Sequence, residues 1–314
     1  MTDPGAGHRL LFPPDLPRSG AQRRLHDLFA AARIESAALD ARLLLCAALG
    51  IDHAALVRDP GLPLGPGAER LAGFVARRLR HEPVSRILGQ REFWGLPFKI
   101  SPAVLDPRAD TEILVEAVLA AFAARRREPL RVLDLGTGSG AILAALLTEL
   151  PSASGVGLDN SFAACRIARE NFERLGLAGR GHVVQGSWAG ALRGPFDIIV
   201  SNPPYISAED LELLARDVRD YDPTAALDGG HDGLEPYRLI IPSLPPLLAP
   251  GGFVAFEIGA TQGEPVSALL WAAGLGAPGV KTDLAGHDRV VFAANSKHPE
   301  DHSRECGARD SRIG

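Results

Sequence analysis

Residues 131–140 constrain the fold more than any other stretch. Arg131-Val132-Leu133-Asp134-Leu135 reads as a buried strand, Gly136-Thr137-Gly138-Ser139-Gly140 as a turn, and Ala141 to Leu147 as a packed helix. Glycines at a strand-to-helix turn permit φ > 0 and let backbone N–H groups approach a ligand closely. A Gly-x-Gly-x-Gly is weak by itself, because dinucleotide-binding folds use related turns. The next strand, Ser154 to Leu158, ends in Asp159, about 20 residues past the glycines, where a carboxylate can accept hydrogen bonds from ribose hydroxyls. Helix capping is the structural alternative for Asp159, since a helix is predicted from Ser161 to Leu175. The sequence has no Gly-x-x-x-x-Gly-Lys loop, which argues against ATP hydrolysis.

From Leu130 onward, strand and helix patterns alternate. Strands are predicted near 131–135, 154–159, 181–185, 196–201, 251–258, 279–283 and 288–294, and helices near 140–150, 161–175, 234–248 and 261–273. Such alternation gives an α/β fold, a seven-stranded, mostly parallel, doubly wound sheet. The last two strands have no helix between them, so one of them is expected to run antiparallel. Ligands in such sheets bind beyond the carboxyl ends of the strands, and Asp134, Asp159 and Asn202 all fall at such ends.

A second signal follows the strand Phe196 to Val200, which stops at Ser201-Asn202-Pro203-Pro204-Tyr205. Neither proline can donate to a ladder, and Pro204 holds Pro203 extended, so the loop has few conformations to lose. It presents one side-chain amide, backbone carbonyls not used by a sheet, and an aromatic ring. That set suits a planar amino group. The Asn202 side-chain oxygen and the Pro203 carbonyl would accept its two N–H bonds, exposing the nitrogen lone pair, while Tyr205 packs on its face and excludes water. No residue stands out as a dedicated general base. A rigid proline turn is the plain alternative.

Residues 21–90 carry a helical pattern instead. Leu25, Leu28, Phe29 and Ala32 share one predicted face, Leu39, Leu43, Leu44 and Ala47 a second, and Leu71, Phe74, Val75 and Leu79 a third. Arg77-Arg78-x-Arg80 reads as a solvated helix face. Residues 91–107 open with Phe93, Trp94, Leu96, Phe98 and Ile100 around Gly95 and Pro97, the pattern of a short β-hairpin linking two domains. Pro107-Arg108-Ala109-Asp110-Thr111-Glu112 then leads into an apolar helix, 113–124. These polar residues either cap it, Asp110 in particular, or line the ligand pocket. The expected organisation is a flexible extension at 1–20, a helical recognition domain at 21–90, a hairpin linker at 91–107, the α/β domain at 108–296 and a disordered tail at 297–314.

The 314 residues, 46% hydrophobic and 23% charged, suffice for two globular domains. No apolar run has the length of a membrane span, and the Pro- and Gly-rich opening lacks a signal core. Cys46, Cys165 and Cys306 are far apart and nine histidines are scattered, so no metal site is expected and a reducing, cytoplasmic location is. A net charge of −5 argues against a general nucleic-acid coat.

The chain resembles the bacterial peptide chain release factor glutamine methyltransferases, within the class I S-adenosylmethionine-dependent methyltransferases. The resemblance runs from about Ala37 to Ala293. It rests on Gly89-x-Arg91-Glu92-Phe93-Trp94-Gly95-Leu96, Pro107-Arg108-x-Asp110-Thr111-Glu112, the 133–140 glycine loop, and Ser201 to Ile206. Tyr221-Asp222-Pro223 and Ala226 to Leu234 add to it. It implies methylation of the glutamine side-chain nitrogen in the Gly-Gly-Gln tripeptide of class I release factors. S-adenosylmethionine would be the donor and S-adenosylhomocysteine the product. Gly136, Thr137, Gly138, Ser139, Gly140 and Asp159 would hold the cofactor, with Trp188 beside the adenine and Asn202 near the methionine end. Asn202, Pro203, Pro204 and Tyr205 would clasp the glutamine, with Asn202, Pro203 and Tyr205 carrying the chemistry. The N-terminal helices would dock the release factor, met transiently by a monomer with no stable nucleic-acid or membrane partner. Two departures stand out: Ala109 where the family usually has Pro, and Ser187 where it often has an acid that would meet the adenine amino group. Three competing readings fit less well: an adenine amino methyltransferase, a ribosomal-protein glutamine methyltransferase, and a non-catalytic adaptor, whose glycine loop or clasp should be damaged.

Overall fold

A computed structural model describes residues 11–188 and 192–295. The chain divides into two compact units, one of residues up to Gln90 together with Ala215–Tyr221, the other of Arg91–Leu214 and the residues from Asp222 onward. The first ten residues and the expected tail at 297–314 lie outside the described residues.

The smaller unit is helical: α1 (Arg18–Ala31), α2 (Ala37–Leu49), α3 (His53–Arg58), α4 (Gly67–Arg78) and α5 (Val84–Leu88) surround one apolar core. Residues 11–20 are not a flexible extension. Phe12 and Leu16 are buried in this core and α1 already begins at Arg18. The α2 face also differs from expectation. Leu44 is buried with Ala37, Ala41, Leu45 and Ala48, whereas Leu39 and Leu43 are 45% and 40% exposed. In a helix this apolar all round, composition does not say which side turns inward.

Nor is Arg77-Arg78-x-Arg80 a solvated face. Arg78 is buried, and its Nε donates to Asp40 Oδ2 at 2.7 Å, across from α2. Arg77 forms a forked pair with Glu82 and donates to the carbonyls of Arg86 and Ile87.

In the larger unit, β1 (Gln90–Phe93) and β2 (Leu96–Lys99) form the hairpin. It belongs to this unit rather than standing between two. Phe93 and Phe98 sit in its core, in edge-to-face contact at 6.3 Å. After α6 (Glu112–Ala121) come β3 (Arg131–Leu135), α7 (Ala141–Glu149), β4 (Ser154–Asp159), α8 (Phe162–Arg174), β5 (Gly181–Gln185) and β6 (Phe196–Ser201). The short turn α9 (Ala208–Leu211) comes next, then α10 (Arg216–Arg219), which belongs to the smaller unit, and after it α11 (Glu235–Ile240), β7 (Leu248–Glu257), α12 (Gly263–Ala272), β8 (Gly279–Thr282) and β9 (Asp288–Ala294).

The seven strands order as β5-β4-β3-β6-β7-β9-β8. All neighbours from β5 to β7 run parallel, and β9 is antiparallel to both β7 and β8. Side chains alternate between two cores as a strand's period of two requires. Val132, Ile198, Val200 and Ala255 face α6, α7 and α8, while Leu133, Leu135, Ile199, Val254 and Phe256 face α11 and α12. The sheet is therefore covered on both faces. The expected helix at 234–248 is shorter. It ends at Ile240 and passes into a single tight turn, Ile241–Ser243, because Pro242, Pro245 and Pro246 supply no N–H.

Candidate active site

The carboxyl ends of β3, β4, β5 and β6 meet the segments 103–111 and 223–226 around a cavity of about 300 Å³. Gly136, Thr137, Gly138 and Ser139 form one wall, and Asp159, Ser187, Trp188, Asn202 and Pro204 others. Residues more than a hundred positions apart thus share one cleft, at the reversal of strand order between β3 and β6 where open α/β sheets bind ligands.

The glycine turn is shaped by its backbone. Gly136, Gly138 and Gly140 sit at φ +74°, +55° and +81°, values that cost a residue with a Cβ about 1–2 kcal/mol. Gly140 is doubly restricted, since a Cβ there would lie 2.8 Å from the Phe172 ring. The expectation that the turn's N–H groups face a ligand is not met. Gly136 and Thr137 N–H both donate to Leu158 O, Gly138 N–H to Asp159 Oδ2, and Gly140 N–H to Thr137 O. With four of its five N–H groups engaged inside the protein, the turn offers close approach rather than a cradle for phosphate.

Asp159 accepts from Gly138 N–H at Oδ2 and from Ser161 N–H at Oδ1, each at 2.9 Å. It does not cap α8. That role falls to Ser161, whose Oγ accepts from Ala164 N–H. The two backbone bonds fix the carboxylate at the cavity edge, where a second lone pair on each oxygen can still take a hydroxyl. Behind the turn, Asp134 is fully buried and accepts from Thr137 Oγ1 at 2.6 Å. Burial raises its pKa to about 7, and Asp159 adds to the rise, against the pull of the Thr137 bond. Trp188 follows β5 at φ +46° and packs beside Gly136, its ring 3.9 Å from where a Cβ would stand. The expected Ser187 also lines the cavity, though no partner chemistry marks it.

At the end of β6, Ser201 Oγ donates to Leu135 O and ties the two central strands together. Asn202 Nδ2 donates to Thr111 Oγ1 at 3.4 Å. Pro203 is buried and, like Tyr205, stands off the cavity, which Asn202 and Pro204 reach. Tyr205 turns towards β7, its hydroxyl 3.4 Å from Glu257 Oε1. Burial and the neighbouring Glu257 charge push the phenol well above its ordinary pKa.

The 107–112 segment does several jobs at once. Pro107, Arg108 and Thr111 line the cavity, Arg108 pairs with Asp222 at 2.6 Å, and Glu112 accepts from Trp94 N–H at 2.8 Å. Asp110 caps nothing; it meets Arg289 at 3.4 Å. The expectation that this segment lines the pocket is met by Pro107, Arg108 and Thr111, whereas the Arg108–Asp222 pairing and Glu257 were not singled out by sequence reasoning. Glu257 carries the same signal as Asp134 and Asp159, an acid in the terminal turn of an apolar strand, which could have found it.

Two family models match the chain: the PrmC N-terminal domain over residues 21–89 and the methyltransferase small domain over residues 101–217. A release factor glutamine methyltransferase from Bradyrhizobium diazoefficiens is 49% identical over 277 residues, covering 87% of this chain and 93% of that one. The chain belongs to the release factor glutamine methyltransferase family. A second relative of that name, from Rhodospirillum rubrum, is 46% identical over 263 residues, 83% of this chain and 80% of its own. Among solved structures, the hMettl16 catalytic domain in complex with MAT2A 3'UTR hairpin 6 matches with a TM-score of 0.54 at 18% identity. It covers 72% of this chain and 83% of that one, a likeness of fold alone. The chain is thus a methyltransferase of the class I fold.

Proposed function

We propose that this chain transfers a methyl group from S-adenosylmethionine to the glutamine side-chain nitrogen in the Gly-Gly-Gln tripeptide of class I release factors, within the cytoplasm. The observation that carries the reading is the juxtaposition of Asn202 with the glycine turn in one cavity. The residues present fit the cofactor. A nucleoside without phosphate suits a turn whose N–H groups are spent internally, with the fixed Asp159 carboxylate for the ribose and the Trp188 ring for the base. Family membership supplies the acceptor.

When bound, S-adenosylmethionine supplies a methyl group on a sulfonium, which needs no metal to be electrophilic. The rest of the task falls to this chain. A primary amide nitrogen is a poor nucleophile because its lone pair is delocalised into the carbonyl. Asn202 commits its own nitrogen to Thr111, so Oδ1 is the atom turned out to accept one substrate N–H. The Pro203 carbonyl, set back from the cavity before substrate arrives, is the second acceptor once the amide seats against Asn202, in a proline context that limits its other conformations. Both dipoles stabilise the positive charge that develops on the substrate nitrogen. Tyr205, held from the β7 side, backs the loop behind Asn202 and Pro204 and keeps water from reaching it there.

The experiment is to incubate the purified chain with labelled S-adenosylmethionine and a matched release factor, wild type and with Gln→Ala in its Gly-Gly-Gln. Label should enter the first and not the second. Equal labelling of the Ala variant refutes the acceptor.

A further inference from the structure

Glu257 is the last residue of β7 and is buried, with Oε2 lacking a hydrogen-bond partner among the described residues. Three hydroxyls surround it. Tyr205 OH donates to Oε1 at 3.4 Å, Tyr237 OH donates to the Glu257 backbone carbonyl at 2.8 Å, and the Thr111 hydroxyl stands near enough to the carboxyl to hold its pKa down without a formed hydrogen bond. Thr111 Oγ1 is also the acceptor for Asn202 Nδ2. Glu257 therefore touches one jaw of the clasp directly, and its unsatisfied oxygen lies beside the hydroxyl that holds the other.

The direction of those bonds decides which atom Asn202 shows to a substrate. A carboxylate can only accept, so it draws the Thr111 proton to itself. Thr111 then has lone pairs left for Asn202 and accepts from Nδ2, which turns the Asn202 oxygen outward. Were the carboxyl a donor instead, Thr111 could donate to Asn202 and the amide could flip, presenting N–H groups to an N–H substrate.

We propose that Glu257 is a positioning residue: its carboxylate, behind the clasp, holds Tyr205 directly and Asn202 through Thr111, so that the oxygen of Asn202 faces the glutamine amide. The proposal rests on the clasp described above. The long 3.4 Å links fit a network that tightens when substrate arrives. Burial raises the Glu257 pKa to about 7, with Asp110 adding to the rise and Thr111, Arg289 and Tyr205 opposing it. The charges facing the carboxyl are Asp110, ahead of α6, and Arg289, on β9. Arg289 is itself paired with Asp110 and with Asp283. The uncharged groups are the hydroxyls of Thr111, Tyr205 and Tyr237.

Glu257→Gln keeps the volume and mimics the protonated acid at every pH. In the full-length enzyme with wild-type release factor, we expect kcat about 10-fold lower on the alkaline side, with cofactor affinity within about twofold of wild type. Wild-type kcat should fall as pH drops through about 7, and Glu257→Gln should lack that limb. A Glu257→Gln enzyme with wild-type kcat and an unchanged pH limb overturns the proposal. Should that variant not fold, Thr111→Val, which keeps the carboxylate but cuts its link to Asn202, must lower kcat in the same way; undiminished turnover there overturns it too. Turnover that survives Asn202→Ala removes the clasp itself. An inactive Asn202→Ala beside a fully active Glu257→Gln removes only the role of Glu257.

Discussion

Asn171 offers the sharpest test of how the glycine turn is held. It is fully buried on α8, and its side chain makes three bonds: Oδ1 accepts from Lys99 N–H at 2.8 Å, and Nδ2 donates to Lys99 O at 3.0 Å and to Ser139 O at 2.8 Å. One side chain thus joins the hairpin to the glycine turn. At about 1 kcal/mol net for each bond, Asn171→Ala should lose about 3 kcal/mol. In a cooperative unit of about 200 residues that lowers Tm by about 6–12 °C. Asn171→Asp is the informative companion, since it keeps the shape and the acceptor but turns a carboxylate oxygen towards two carbonyls. It should be less stable than the Ala variant at neutral pH, and the difference should shrink on acidification as the new carboxyl takes up a proton and can donate. Calorimetric melting of the full chain, with and without S-adenosylmethionine, reads both effects. Because Ser139 loses its anchor, the cofactor-induced rise in Tm should also be smaller in both variants. An Ala variant melting within about 2 °C of wild type, or an Asp variant matching wild type at neutral pH, refutes the reasoning.

Four further outcomes follow from the geometry. Asn202→Ala should lower kcat by about 10²-fold or more while leaving cofactor affinity near wild type; near-normal turnover in a methyl-transfer assay counts against the clasp. Asp159→Ala should mainly weaken cofactor binding, because it removes the fixed carboxylate and frees the Gly138 and Ser161 N–H groups, and calorimetric titration with an unchanged affinity eliminates it from the ribose site. In the helical unit, Asp40→Ala leaves Arg78 buried without its carboxylate and should cost about 3–5 kcal/mol in urea unfolding, whereas replacing both by apolar residues of similar size should cost much less; equal losses contradict this. For Asp134, whose pKa burial raises to about 7, the native chain holds a proton that the unfolded chain has released across the window from about pH 4 to about pH 7. Its contribution to stability therefore declines as pH rises through that window, and Asp134→Asn should flatten this part of the profile; an unaltered slope in pH-dependent unfolding excludes the assignment.

The sheet was legible because its signals are local. Each parallel strand is a short apolar run closed by a glycine, an acid or a proline, and strand boundaries at 131–135, 154–159, 181–185, 196–201 and 288–294 coincide with those observed. Where several signals overlapped, reading failed. Helix 234–248 has an apolar period but three prolines in its second half, and the prolines win. Along α2 both sides are apolar, so only packing reveals that Leu39 and Leu43 are the outward pair. Partnerships were the least legible of all. Nothing near Arg78 announces Asp40, and nothing near Arg108 announces Asp222, because those pairs form only after the chain has folded. The glycine turn shows a subtler failure. Its shape follows from residue type, yet the destination of its N–H groups is set by Leu158 and Asp159 on the next strand.

The strand order places β9 between β7 and β8, although β9 is made after both of them. Until it arrives, β8 has no neighbour to join and β7 presents a bare row of amides and carbonyls. A premature stop codon just ahead of Asp288 would thus delete one strand, strand another, and leave an adhesive rim open to other nascent chains. The rim stays bare until residues 288–294 have been made and have slotted between their two neighbours.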